Sequence, residues 1–187
     1  KKDEEVLVKV GVSAVDIAGA RKNVESEIPE WDFDKVRKDA RTAWNNYLSK
    51  IDITTSDKED KTIFYTALYH TAISPNLFTD ADGRYLGMDL EVHQGDTINP
   101  LYTVFSLWDT FRALHPLMTI IDPNLNNQFI NSLIRKHQEG GIYPMWDLAS
   151  NYTGTMIGYH AVPVIVDAYM KGYRNFDAHE AYKDSLR

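Results

Sequence analysis

The most restrictive feature of the sequence is a mainly apolar run from Leu101 to Ile121. We predict one helix there, apolar nearly all round, because large hydrophobic residues recur on every side: Val104, Phe105, Leu107, Phe111, Leu114, Leu117, Met118 and Ile121. A helix of this kind must be covered by protein on all sides. The chain is therefore expected to fold as layers of packed helices.

Other segments carry helical patterns of a different kind. Val36, Ala40, Trp44 and Tyr47 follow the spacing of one apolar helix face, within a helix from Asp32 to about Ile51. Further helices are predicted from a cap at Ser13 or Asp16 to about Glu27, over 58–74, over an amphipathic stretch at 124–138 and over an apolar stretch at 160–171. Amphipathic helices thus alternate with apolar ones, as an (α/α) barrel requires, although a plain helical bundle would show the same periodicity.

The first residues predict a different element. Val6–Val12 is rich in β-branched residues and indicates a short strand with no partner nearby in sequence. We interpret it as the end of an upstream β domain, so that residues 1–31 finish that domain and a connecting helix, and residues 32–187 begin a helical domain. The chain opens with Lys rather than Met, and we therefore expect it to be an internal part of a longer protein.

Composition excludes several classes of function. The 187 residues carry a formal charge of −7 without a cluster of Lys and Arg, which argues against a nucleic-acid partner. There is no cysteine, so a disulfide framework, a thiol nucleophile and a cysteine-ligated zinc site are all excluded. No apolar run reaches the roughly 20 residues that a membrane span needs.

Two polar and aromatic stretches are candidate sites. Trp108, Asp109 and Arg112 lie in one sector of the predicted apolar helix, where a buried charge needs a partner. They form either an internal Asp109–Arg112 pair or a sugar subsite, in which tryptophan covers C–H groups and the charged side chains bond hydroxyls. The loop containing Trp146 and Tyr152 is either a second part of a pocket or a structural connector.

The remaining polar residues receive structural interpretations. Asp80 and Asp82 have the composition of a turn, and Asp82-Gly83 predicts a hairpin. His93, His137 and His179 appear isolated. Glu139 and Asp147 are carboxylates near the candidate loop, but no motif makes either of them catalytic.

These motifs together resemble glycoside hydrolase family 92. The resemblance covers nearly the whole chain in order, through DIAGAR at 16–21, FTDADGRY at 78–85, TVFSLWDTFR at 103–112, GGIYPMW at 140–146, TMIGYH at 155–160 and DAYMKG at 167–172. It implies an exo-acting, inverting, calcium-dependent α-mannosidase. It also implies an N-terminal β-sandwich followed by an (α/α)6 barrel, of which this chain would supply the first helices.

The resemblance also implies roles for particular residues. Trp108 and Asp109 match positions that contact the terminal mannose, and Arg112 belongs to the same motif. Tyr152 stands where some members have glutamate, so no linkage preference is predicted. The catalytic acid, the catalytic base and most calcium ligands of the family lie in later segments, so this chain alone is expected to be inactive.

The expected partners are mannose-containing glycans and the remainder of the parent polypeptide, in the periplasm, at the cell surface or secreted. The residues alone leave two alternatives open. One is a free-standing helical module that binds carbohydrate through Trp108 and Trp146 without catalysis. The other is a helical interaction domain in which Asp109 and Arg112 are merely an internal pair.

Overall fold

The computed structural model describes residues 5–96 and 98–186, and this part of the chain is mainly helical. Its helices are α1 (Ile17–Glu27), α2 (Phe33–Leu48), α3 (Lys58–His70), α4 (Leu107–Thr110), α5 (Leu114–Ile121), α6 (Pro123–Gly140), α7 (Ala161–Met170) and α8 (Ala178–Asp184). Its strands are β1 (Asn76–Leu77), β2 (Arg84–Leu86), β3 (Val92–Gln94), β4 (Tyr102–Thr103), β5 (Asp147–Leu148) and β6 (Asn151–Tyr152). The strands form three antiparallel pairs, β1–β4, β2–β3 and β5–β6.

Aspartate side chains cap the N-termini of most of the longer helices. An aspartate accepts a hydrogen bond from a backbone N–H of the first turn at five helix starts: Asp16, Asp32, Asp57, Asp122 and Asp177. Each carboxylate satisfies a donor that the helix leaves unpaired. The predicted starts of α2 and α3 are confirmed, and of the two caps predicted for α1 the structure has Asp16 and not Ser13. Helices α2 and α3 end three and four residues earlier than predicted.

The hydrophobic core surrounds α6. This helix packs against α5, α7 and α8, and it buries Phe129, Ile130, Leu133 and Ile134. The other long helices are less enclosed: no residue of α2 is buried, and α7 leaves Val166, Tyr169 and Met170 exposed. The amphipathic segment at 124–138 is therefore the central helix of the described fold, whereas the apolar helix α7 is covered on one side only by the described residues.

The single helix predicted over 101–121 is wrong. Its first part is strand β4 followed by extended backbone, with Val104 in the left-handed region at a φ of 64°. The helical part is divided into α4 and α5. The backbone of 102–107 bonds to β1 and to 145–147 instead of forming helical turns, so long-range pairing replaces the local helical pattern.

The predicted strand at Val6–Val12 is not formed within the described residues. Alternate valines there are exposed, and a strand requires a hydrogen-bonded neighbour, which this segment does not have among the described residues. The predicted hairpin is displaced as well. Asp82-Gly83 forms a tight turn, and the hairpin that follows joins β2 to β3 across Gly87–Glu91.

Helix α1 is held to the Asp80 turn by a polar network. The buried Asp80 carboxylate accepts hydrogen bonds from Ser13 Oγ at 2.6 Å and Asn23 Nδ2 at 2.8 Å. Arg84 bonds Asp16 at 2.8 Å and Asp82 at 2.9 Å. The hydrogen bonds from Arg84 and from Gly19 N–H hold the pKa of Asp16 below its usual range. The interpretation of Asp80 and Asp82 as turn residues is confirmed, and the turn also fixes the angle of α1.

Replacing Gly19 by alanine is expected to destabilise the fold, although alanine is the better helix former by about 1 kcal/mol. A Cβ at Gly19 would lie 2.3 Å from Asp80 Oδ2 and 2.8 Å from Ser13 Oγ. Overpacking of this kind costs about 1–3 kcal/mol. Chemical denaturation of Gly19→Ala beside wild type measures the difference, and a stability equal to or above wild type would contradict this contact.

None of the described helices combines the length and the hydrophobicity that crossing a membrane would demand.

Candidate functional site

The two candidate stretches, which are about 40 residues apart in sequence, lie side by side in the fold. Ser106 forms an antiparallel β-bridge with Trp146, and Leu107 N–H donates to the carbonyl oxygen of Met145 at 3.1 Å. We call residues 103–112 the Trp108 segment and residues 143–153 the Trp146 segment. Main-chain bonding places their candidate side chains on neighbouring backbone.

The Trp108 segment presents its polar side chains to solvent. Trp108 is 44% exposed, and Asp109 and Arg112 are exposed as well. No Asp109–Arg112 ion pair forms in the described part of the chain: Asp109 Oδ2 accepts from Ser106 Oγ at 2.6 Å, and Arg112 Nη2 lies 3.4 Å from the Trp108 carbonyl. The predicted buried polar sector is therefore wrong, since α4 ends before Arg112 and the segment is at the surface.

The Trp146 segment is a tight hairpin built on β5 and β6. Asp147 pairs with Tyr152, and Ala149 turns the chain with a φ of 54°. Trp146 is half-buried, and its carbonyl oxygen accepts from Thr153 N–H at 3.1 Å. Tyr152 is partly buried and packs against the hydrophobic core, so it attaches the hairpin to the core.

A buried ion pair lies directly beneath both segments. Lys136 Nζ is 3.0 Å from Asp147 Oδ2, and neither side chain has any exposed surface. Asp147 also accepts from Thr103 Oγ1 at 2.7 Å and from Phe105 N–H at 2.9 Å. Sequence reasoning missed Lys136, although a signal existed: it falls seven residues after Phe129, on the apolar stripe of α6.

Two histidine side chains are buried in the fold. His115 is buried between Phe105 and Phe129, with ring centroids 6.3 and 5.9 Å away, and burial lowers its pKa to about 4. His115 is therefore neutral at pH 7. His137 is not isolated as predicted: its Nδ1 lies 3.2 Å from Asp184 Oδ1 in a buried contact between α6 and α8.

Both carboxylates near the loop accept hydrogen bonds from neighbouring residues. Glu139 accepts from Tyr85 Oη at 2.8 Å and from Met88 N–H at 3.1 Å. Burial and this neighbouring carboxylate raise the pKa of Tyr85 to about 12. Because Asp147 is fully buried and Glu139 joins β2 to α6, both act as structural side chains.

Within 5–96 and 98–186, no three histidine or acidic side chains converge closely enough to hold a metal ion. Calcium binds through six to eight oxygen ligands, mostly carboxylates and carbonyls. A groove of about 570 Å³ between α7 and α8 is lined by none of the candidate residues.

Comparison with known proteins gives a consistent result over most of the chain. The model of the glycosyl hydrolase family 92 catalytic domain matches residues 19–187. A family GH92 alpha-mannosidase from Bacteroides thetaiotaomicron is 37% identical, with a TM-score of 0.87 over 92% of this chain. A family GH92 inverting mannosidase from the same organism is 33% identical, with a TM-score of 0.85 over the same share.

Another relative comes from a different organism. An uncharacterized secreted glycosidase of Arthroderma benhamiae is 35% identical over 105 residues, which cover 48% of this chain and 14% of that protein. The chain also spans only 23% of each of the two solved mannosidases. It therefore corresponds to less than a quarter of the length of these solved structures.

Proposed function

Because the chain belongs to glycosyl hydrolase family 92, we propose that it is part of an exo-acting, inverting α-mannosidase that removes terminal α-linked mannose from glycans. The observation that carries this proposal is the likeness to two solved mannosidases, which are 37% and 33% identical over 92% of the chain. One of them is described as an inverting enzyme.

The substrate contacts are assigned to the two adjoining segments. Trp108 offers an exposed indole face to the apolar C–H groups of a sugar. Asp109 and Arg112 are exposed beside it, and their charged groups form strong hydrogen bonds to hydroxyls. Trp146 and Tyr152 border this surface from the hairpin. Bonding to several hydroxyls at once would orient the mannose ring.

The catalytic pair is assigned to other parts of the protein. An inverting glycosidase needs two carboxyl groups about 6.5–9.5 Å apart, one to protonate the leaving group and one to activate water. Since Glu139 and Asp147 are committed to structural hydrogen bonds, we expect this chain alone to be inactive. Calcium, too, would be held mainly by residues outside this chain.

The architecture of the whole protein is proposed on the same basis. Residues 32–187 would be the first helices of an (α/α)6 barrel, and residues 1–31 the end of a β-sandwich with its connecting helix. The exposed surfaces of α2 and α7 are consistent with further helices packing on them. A location outside the cytoplasm is proposed from the secreted relative.

Release of mannose from α-linked mannobioses tests the proposed function directly. The complete protein is incubated with each linkage isomer, with added calcium or with EDTA, and mannose is quantified. We expect release with calcium and at least about a tenfold loss with EDTA. No release from any isomer would reject the mannosidase proposal, and binding without hydrolysis would favour the alternative of a carbohydrate-binding module.

A further inference from the structure

We propose that Asp147, held by Lys136, is a positioning residue that sets the arrangement of the sugar-contacting side chains in both segments. The inference rests on the proposed function and goes beyond it, because neither Asp147 nor Lys136 is assigned any contact with the sugar. Both side chains are completely buried, and they act through the backbone that they hold.

Asp147 fixes the Trp108 segment from below. Its Oδ1 accepts from Phe105 N–H at 2.9 Å, and its Oδ2 accepts from Thr103 Oγ1 at 2.7 Å. The residue between these two donors is Val104, whose φ of 64° is strained for a β-branched side chain. Such a conformation persists only where the surroundings over-determine it, and here two bonds to one carboxylate do so.

The same carboxylate belongs to the Trp146 segment by sequence. Asp147 directly follows Trp146 and is the first residue of β5. Thr103 Oγ1 lies 3.1 Å from the carbonyl oxygen of Ala149, which links the Trp108 segment to the turn of the hairpin. With the Ser106–Trp146 bridge, these contacts join the two segments at successive points along their length.

The connection continues to a proposed sugar contact. Ser106 follows Phe105, and its Oγ donates to Asp109 Oδ2 at 2.6 Å. A shift of the backbone at 103–105 would therefore move Ser106 and turn the Asp109 carboxylate. Displacements of about 1 Å in a positioned group can lower catalysis by about 100-fold.

A stabilising role alone does not account for the charges. A buried ion pair loses its hydration, and apolar residues of similar size are often as stable in its place. An ion pair with hydrogen bonds differs from apolar packing in fixing direction as well as distance. Lys136 supplies the compensating charge from α6, the helix at the centre of the core, and the directional bonds to Asp147 come from Phe105 N–H and Thr103 Oγ1.

The test compares two hydroxyl deletions in the complete protein. Thr103→Val replaces the hydroxyl that bonds Asp147 by a methyl group, and Ser13→Ala removes the hydroxyl that bonds the buried Asp80 at 2.6 Å. Both variants lose one hydrogen bond to a buried aspartate, but only Thr103→Val touches the positioning contacts. Thr103→Ser retains the hydroxyl and serves as the conservative variant.

We expect kcat/KM for mannose release, measured well below the unfolding midpoints, to fall about 10- to 100-fold in Thr103→Val. Thr103→Ser should recover most of that loss, and Ser13→Ala should stay within about twofold of wild type. If Thr103→Val does not fold, Ser106→Ala carries the test, with an expected loss of about tenfold through Asp109.

The outcomes separate the two proposals. In one outcome the wild type releases mannose while kcat/KM of Thr103→Val, or of Ser106→Ala where that variant is used, equals that of Ser13→Ala. This result would overturn the positioning role and leave the mannosidase proposal intact. A wild type that releases no mannose would reject both. A selective loss in Thr103→Val, recovered in Thr103→Ser, would support the positioning role, because a purely structural contact would change the unfolding midpoint and not the rate of the folded enzyme.

Discussion

Asp109→Ala is expected to lower kcat/KM for mannose release by about 100-fold in the complete protein. The carboxylate is exposed, and its only side-chain partner among the described residues is Ser106, which leaves Oδ1 available to a sugar hydroxyl. A hydrogen bond to a charged group contributes about 1.5–3 kcal/mol, and 1.36 kcal/mol corresponds to a tenfold change in rate. Initial rates on the preferred mannobiose measure the effect.

Asp39→Ala is the matched control for this experiment. It removes the same charge from the surface of α2, where Asp39 makes an exposed i,i+4 pair with Lys35. Its activity should equal that of wild type, and both variants should unfold at temperatures close to that of wild type. A folded Asp109→Ala enzyme with full activity would show that Asp109 does not contact the sugar.

The largest effect on stability is expected from Asp147→Ala. The change leaves the Lys136 ammonium buried without its counter-ion, and it leaves Phe105 N–H and Thr103 Oγ1 without their acceptor. Removing one partner of a buried pair costs about 3–5 kcal/mol. Chemical denaturation of the complete protein, followed by tryptophan fluorescence, measures the difference.

The exposed Asp167–Lys171 pair supplies the comparison. Its atoms are 2.7 Å apart, slightly closer than in the buried pair, but more than a third of each side chain is exposed. Asp167→Ala should therefore cost less than about 1 kcal/mol of unfolding free energy.

Replacing Lys136 by Met and Asp147 by Leu together should recover much of the loss of stability in Asp147→Ala. A loss below about 1 kcal/mol in Asp147→Ala would show that the buried charges contribute little.

Local signals in the sequence were sufficient for much of the fold. Aspartates before α1, α2 and α3 predicted their starts because capping is a contact between neighbouring residues. Pro123 and the left-handed Gly141 bound the central helix in the same way. The motifs spread from 16–21 to 167–172 together indicated the family, which the family model over residues 19–187 confirms.

Long-range hydrogen bonding explains what could not be predicted. The apolar spacing of 101–121 is compatible with a helix. In the structure, however, β4 pairs with β1, and the Asp147 carboxylate accepts a hydrogen bond from Phe105 N–H. No pattern within 101–121 shows where those partners lie. The neighbouring position of Trp108 and Trp146 likewise depends on the Ser106–Trp146 bridge, which residue types do not encode locally.

That bridge has a practical consequence for enzyme engineering. The Ser106–Trp146 bridge and the Leu107–Met145 bond use only main-chain atoms, so they do not depend on which side chains occupy the surface above them. The exposed positions 108 and 112 can therefore be randomised in a combinatorial library while Thr103, Lys136 and Asp147 are kept. Variants selected from such a library for new linkage preferences would retain one backbone frame, so their differences could be attributed to the exchanged side chains.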